Sequence, residues 1–227
     1  MVDRALIIAA HPDDEVLGCG GTMAKLAAGG TDVHVLFLAD GVTARQEQSV
    51  ADNAALERRR AAAGKACSIL GASGVEFEDY PDNRMDTIAL LSIAQSVESR
   101  IAAVKPELIL THYGNDLNID HQRINQAVVT ACRPQNRLCV KTLLFFEVGS
   151  STEWQTPDFG RTFAPNWFED ISPFLEQKLQ AMSAYEEELR DWPHPRSLKG
   201  IESLAAWRGA SIGCDAAEAF VLGRRTG

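Results

Sequence analysis

The chain has 227 residues, 45% hydrophobic and 23% charged, with a formal net charge of −9 at pH 7. That length and apolar fraction suit one α/β core and leave no room for two ordinary domains, so residues 1–227 are expected to form a single domain. The acidic balance argues against nucleic acid or an anionic membrane surface as the main partner. No apolar run reaches the length of a membrane span. The opening Met-Val-Asp-Arg has neither the basic region nor the apolar core of a secretion signal, which makes the cytoplasm the expected location.

The first element is the apolar run from Ala5 to Ala10, which reads as a strand buried on both faces. Pro12 stops it and hands His11, Asp13, Asp14 and Glu15 to a loop at the strand's carboxyl end, the edge of an open α/β sheet where ligands bind. His11 and Asp14 stand three apart, and zinc accepts imidazole nitrogen and carboxylate oxygen alike. Asp13, between them, is suited to take the proton of a metal-activated water. A solvated turn is the competing reading of His11-Pro12-Asp13-Asp14. Met23 to Ala28 reads as a helix closed by Gly29-Gly30. Gly18, Gly20 and Gly21 are separated from the strand by charged residues, which fits close packing against neighbouring backbone better than a dinucleotide fingerprint.

Val33 to Ala39 is the second strand, with His34 facing solvent or bonded locally. Asp40 stands where a ribose-binding acid would stand. A polar loop through Arg45 follows, then a helix from about Val50 to Leu70 that stops at Gly71. Arg58, Arg59 and Arg60 on it point in different directions, so at most one or two face a site. Val75 to Phe77 is a short third strand, and the Asx-rich loop after it places Asp82, Asn83 and Arg84 at a pocket rim. Arg84 offers a five-donor fork to a sugar hydroxyl or a phosphate, or an ion pair to Asp79 or Asp86. A helix from Ile88 to Val104 ends at Lys105-Pro106. The fourth strand, Glu107 to Thr111, feeds a second polar cluster from His112 to His121, and a helix with Ile124, Ala127, Val128 and Ala131 on its inner face follows. Asp120 either caps that helix or orients a metal-binding neighbour.

Two such clusters at two strand ends suggest one shared site. Here the sequence resembles the LmbE-like (PIG-L) family of zinc-dependent N-deacetylases, whose first signature is present in full as Ala10-His11-Pro12-Asp13-Asp14-Glu15 and whose second is Asp120-His121. The resemblance implies His11, Asp14 and His121 as zinc ligands and Asp13 as general base; it also offers Arg59 or Arg60 as a substrate contact, for which a solvated helix face is the favoured reading. One position departs from the pattern. Several members carry a histidine three residues before the metal histidine, proposed to stabilise an oxyanion and protonate the leaving amine, and this chain has Asn118. An amide can donate to an oxyanion but cannot supply a proton, so the acid is Asp13 after it has accepted one, or another group among His112, Asp116 and His194.

Lys141 to Phe146 reads as the fifth strand. The loop from Ser150 to Trp154 combines hydroxyls with an aromatic face, as a carbohydrate requires, or caps and packs. Residues from Pro173 to Arg190 read as an amphipathic helix, broken by the prolines around His194. The segment from Asp191 to Ser197, together with the Ser150–Trp154 loop, resembles a branch of the family associated with glycan biosynthesis. His194 and Arg196 either close the pocket or reach a neighbouring subunit of a homo-oligomer. Ser197 caps a last helix to Arg208, and Ala216 to Leu222 forms a final strand. The five cysteines, Cys19, Cys67, Cys132, Cys139 and Cys214, contain no Cys-x-x-Cys pair and are expected to be mostly small buried hydrophobes.

The expected architecture is therefore α/β, a single Rossmann-like domain with a mostly parallel sheet and helices on both faces. The expected activity is zinc-dependent removal of the acetyl group from an N-acetylated amino sugar, free or carried on a nucleotide or glycoconjugate. Two rivals stand beside it. A pair of histidines and one carboxylate also suit a non-haem Fe(II) oxygenase, and the glycines with Asp40 suit a nucleotide-binding module without catalysis.

Overall fold

The computed structural model describes residues 2–41, 50–134, 140–157 and 160–226, with backbone only for 50–53. Cys139 and residues 42–45 of the loop after the second strand lie outside that description. Among the described residues, seven strands form one sheet: Arg4–Ala9 (β1), Asp32–Ala39 (β2), Gly74–Tyr80 (β3), Leu108–His112 (β4), Thr142–Phe146 (β5), Trp167–Asp170 (β6) and Ala217–Arg225 (β7). Their order is β3-β2-β1-β4-β5-β7-β6. The first five run parallel, β7 is antiparallel to β5, and β6 is antiparallel to β7. The helices are Asp14–Ala28 (α1), Val50–Ile69 (α2), Leu90–Val104 (α3), Ile119–Ala131 (α4), Leu175–Met182 (α5) and Leu198–Ala210 (α6).

The double-sided burial expected of β1 is complete. Ala5, Ile7 and Ala9 enter one core cluster with residues of α1, α2, α5 and α6, while Leu6, Ile8 and Ala10 enter the other with residues of α3 and α4. The sheet order reverses between β1 and β4, so the loops leaving those two strands diverge around a crevice at their carboxyl ends. The two polar clusters of the sequence are those two loops.

Several expectations need correction. The helix expected from Met23 starts at Asp14 and is broken at Cys19, whose backbone (φ −151°, ψ 21°) is not helical. The break exposes helix ends, and a buried ion pair occupies them. Glu218 of β7 accepts from the amides of Gly21 (2.9 Å) and Thr22 (2.7 Å), while Lys178 of α5 donates to the carbonyl of Leu17 (2.9 Å) and to Glu218 (2.5 Å). The glycines of this helix accommodate side chains rather than backbone: a Cβ on Gly18 would stand 2.3 Å from the Phe146 ring, and one on Gly21 would stand 2.6 Å from Ile171.

The helix expected from Pro173 to Arg190 stops at Met182. Beyond it the chain turns so that Tyr185 donates to Glu15 Oε1 at 2.5 Å and Glu188 reaches Arg59 and Arg196. β6 was not foreseen, and the last strand runs three residues past Leu222. Cys19, Cys67 and Cys132 are buried, and Cys214 is half-buried. Among the described residues, no helix is long and apolar enough to cross a membrane.

Candidate metal and catalytic site

Where β1 ends, the chain enters α1 through a backbone conformation that L-residues rarely adopt, φ 121° at Asp13. Glu15 holds it there: its Oε2 accepts from the Asp13 amide at 3.0 Å while Oε1 accepts from Tyr185. Asp14 turns back on the strand, and its Oδ2 accepts from the His11 amide at 2.8 Å. The second loop ends at the amino terminus of α4, where Asn118 is the cap. Its Oδ1 accepts from the amides of Asp120 (2.8 Å) and His121 (3.4 Å), which settles the cap on Asn118 and frees Asp120 to face inward.

The two loops meet. His11, Asp14 and His121, all buried, each offer a ligand atom, and these atoms lie within 4.8 Å of one another. Each imidazole is held from its far side. His11 Nε2 is 3.0 Å from Asp120 Oδ2 and 3.0 Å from Asp82 Oδ1, which leaves Nδ1, 3.3 Å from Asp14 Oδ2, on the inner side. His121 Nδ1 is 3.0 Å from Asp116 Oδ1 and its Nε2 is 3.3 Å from Asp14 Oδ2; both are ion-pair approaches, and neither nitrogen makes a directed hydrogen bond. Carboxylates behind imidazoles in this way fix ring orientation at metal centres.

A second acid group, His11 with Asp82 and Asp120, also satisfies ligand spacing. There, however, Asp120 is already occupied, because it also accepts from the amides of Asn83 (2.6 Å) and Met85 (3.0 Å). Asp116 is anchored in the same manner. It accepts from the Asn118 amide at 2.8 Å and from the hydroxyls of Ser151 and Thr152.

The electrostatics follow from burying so many acids together. Burial opposes ionisation of Asp14, yet the imidazoles of His121 and His112 hold its carboxyl well below the usual range. Burial would lower His121, but Asp14 and Asp116 raise it to about 9. Asp13 behaves oppositely: burial, then the charge of Asp14, push its carboxyl up to about 7 against the pull of Arg196. Glu15 is pushed by burial up to about 8. A cluster in which Asp14, Asp82, Asp116 and Asp120 surround two imidazoles calls for a positive charge at its centre, and an unpartnered buried imidazole nitrogen points there. The residues fit a divalent cation of zinc's preferences, with two nitrogens and one carboxylate.

His11, Asp13, Asp14, His121, Asn118 and Arg196 line one cavity of about 1070 Å³, open solvent included, together with Arg59, Asp82, Asn83, Ser150, Ser151 and Glu188. Asn118 Nδ2 donates to Asn83 Oδ1 at 3.0 Å, spending one of its two hydrogens. Arg196 donates from Nη1 to Asp13 Oδ2 (3.1 Å) and Glu188 Oε2 (3.1 Å), and from Nε to Ser150 Oγ (2.8 Å). Three residues expected at the rim stand outside this wall. Arg84 is exposed and its loop turns it from the cavity that Asn83 enters. Trp154 is half exposed and meets His194 edge-on, ring centres 5.9 Å apart. His194 Nδ1 accepts from the Arg196 amide at 3.1 Å and so sets up Arg196.

His112 is a poor acid. It is stacked on His121 at 3.9 Å, its Nε2 accepts from the Ala10 amide at 2.8 Å, and burial keeps it neutral, well below its ordinary pKa. Sequence reasoning missed Glu188 and the anchoring of His121 by Asp116. The only signal for the latter was an acid five residues before a histidine on one loop.

A second cavity of about 750 Å³ adjoins the first through Val148 and is walled by Leu17, Ile201, Leu204 and Ala205. Of its charged members, Glu147 pairs with Arg208, Lys178 pairs with Glu218, and Glu153 accepts from the amides of Ser150 and Ser151, whereas the histidine–aspartate group lines the first cavity.

Solved structures share this fold. N,N'-diacetylchitobiose deacetylase from Pyrococcus horikoshii superposes with a TM-score of 0.79 at 18% identity, covering 97% of this chain and 84% of that one. GalB, the 4-carboxy-2-hydroxymuconate hydratase of Pseudomonas putida KT2440, superposes with a TM-score of 0.76 at 21% identity, covering 99% and 98%. At these identities the likeness concerns the fold, and it spans two chemistries. The sequence decides between them. Residues 6–132 match PIG-L, GlcNAc-PI de-N-acetylase, and the chain belongs to that family. It is also 28% identical over 198 residues to diacetylchitobiose deacetylase of Thermococcus kodakarensis, covering 82% of this chain and 70% of that protein. The enzyme class is N-deacetylase.

Proposed function

We propose that this chain is a zinc-dependent deacetylase that removes the acetyl group of an N-acetylated amino sugar. The observation that carries the reading is the convergence of His11, Asp14 and His121 beside Asp13 in one cavity. A zinc ion held by those three residues would supply Lewis acidity toward the acetamide carbonyl and toward water. Asp13 takes the water proton: Arg196 engages its Oδ2 and leaves Oδ1 for the water. The hydrogen of Asn118 Nδ2 not used on Asn83 is a donor for the oxyanion. Asp13 then returns its proton to the departing amine, which provides the acid that the missing histidine leaves unassigned. Asp120 and Asp116 keep the two imidazoles oriented. The whole of 1–227 serves as one domain, because β7 supplies Glu218 to α1 and the segment before α6 supplies Arg196 to the cavity.

The test is release of primary amine and acetate, one to one, from N-acetylglucosamine, diacetylchitobiose and an N-acetylated nucleotide sugar by the zinc-loaded protein. A chelator should abolish release and added zinc should restore it. Release unaffected by chelation would refute the metal, and oxygen uptake with a 2-oxo acid and no acetate would replace the reading by the oxygenase.

A further inference from the structure

Two arginines facing one cavity ordinarily make a site for phosphate or carboxylate, since each guanidinium presents a planar fork of donors to an anion. In this cavity Arg59 reaches across from α2 and Arg196 from the segment before α6, but the place between them is filled by the chain itself. Glu188 Oε2 accepts from Arg196 Nη1 at 3.1 Å, and Glu188 Oε1 accepts from Arg59 Nη2. The side chains of Glu188 and Arg59 are only 14% and 17% exposed, so solvent screens the bridge weakly. Arg196 is held on its other side by Asp13. Charges therefore alternate along the wall as Asp13, Arg196, Glu188 and Arg59, with each cation matched. Arg190, exposed at the rim, donates to the carbonyls of Glu187 and Leu189 and stands outside this chain of pairs.

We propose that Glu188 determines specificity in this site: as a built-in anion between Arg59 and Arg196, it restricts the cavity to N-acetyl sugars that carry no charge next to the acetamide. The proposal rests on the deacetylase reading and narrows its substrate class. An incoming phosphate has to displace Glu188 from both arginines while facing the carboxylates of Asp13 and Asp82. A neutral sugar displaces nothing, because its hydroxyls donate to the remaining lone pairs of Glu188 and accept from the hydrogens of Arg196 Nη2, which none of these bonds uses.

The experiment compares kcat/KM for N-acetylglucosamine and N-acetylglucosamine 1-phosphate, whose phosphate sits on the carbon next to the one bearing the acetamide, in zinc-loaded wild type, Glu188→Gln and Glu188→Asp, with calorimetric binding of inorganic phosphate as a second reading. Wild type should prefer the neutral sugar by about tenfold or more, the worth of one charge-assisted contact. Glu188→Gln should shift the ratio toward the phosphate by about tenfold or more and tighten phosphate binding comparably, while Glu188→Asp keeps the wild-type preference. If Glu188→Gln fails to fold, Glu188→Ser carries the same expectation. A wild type that prefers the phosphorylated sugar, or an unchanged ratio and unchanged phosphate affinity in the Gln variant, overturns the proposal. Should wild type deacetylate neither of these sugars nor diacetylchitobiose nor an N-acetylated nucleotide sugar, the deacetylase reading fails, and the phosphate-binding comparison still decides the role of Glu188.

Discussion

Replacing Lys178 by Met tests the account of the broken helix. Lys178 and Glu218 are each 4% exposed, and between them they satisfy two amides and one carbonyl that the break at Cys19 leaves open. Lys178→Met removes the cation, strands the Leu17 carbonyl, and leaves Glu218 charged and buried with only the amides of Gly21 and Thr22. Breaking one side of a buried pair costs about 3–5 kcal/mol. For a chain of this size, 1 kcal/mol moves Tm by roughly 2–4 °C, so a fall on the order of 10 °C is expected. Urea unfolding of wild type, Lys178→Met, Glu218→Gln and the double variant closes a double-mutant cycle. The double variant should be destabilised by less than the two single losses added together, because removing both charges removes the stranded one. A Lys178→Met protein within about 1 kcal/mol of wild type, or strictly additive losses, would show that the pair is not what holds the break.

Other consequences bear on the site. Asp13→Asn should keep zinc content near wild type and lower kcat by about 10²–10⁴, and turnover close to wild type in a metal-loaded sample would remove Asp13 as the base. Asp116→Asn should weaken zinc affinity by about 10–100-fold through loss of the support behind His121, read by competition with a chromophoric chelator; unchanged affinity would mean that the ring holds its orientation without Asp116. Gly18→Ala should cost about 1–3 kcal/mol by forcing the fully buried Phe146 ring to move, and a neutral effect in urea unfolding would show slack at that contact.

Much of the fold was legible because the local signals agreed with one another. The run from Ala5 to Ala10 followed by Pro12 could only be a buried strand ending in a loop, and the second polar cluster followed another apolar run, so two strand ends carrying histidines and aspartates pointed to one crevice. What could not be read depended on distant partners. β6 is four residues of mixed polarity whose strand state comes from pairing with β7. The break in α1 comes from Phe146, Ile171, Lys178 and Glu218, which lie far along the chain. The helix after Pro173 has the right periodicity as far as Arg190, but Tyr185 and Glu188 find partners in Glu15, Arg59 and Arg196 that outweigh continuing it. In the site, Arg196 was recognisable as a cation after a proline-rich break, whereas its grip on Asp13 is a product of tertiary packing. Trp154 and His194 had the chemistry of a sugar platform, yet they pair with each other beside the cavity.

The backbone at Asp13 has a consequence for anyone who alters this protein. A residue held at φ 121° costs on the order of 1–3 kcal/mol, and glycine would adopt that geometry at little expense. Selection for thermal robustness alone would therefore favour Asp13→Gly and discard, along with the tension, the carboxylate to which we assign the proton transfer. Relaxing this position would add stability at the expense of the carboxylate that the proposed chemistry uses.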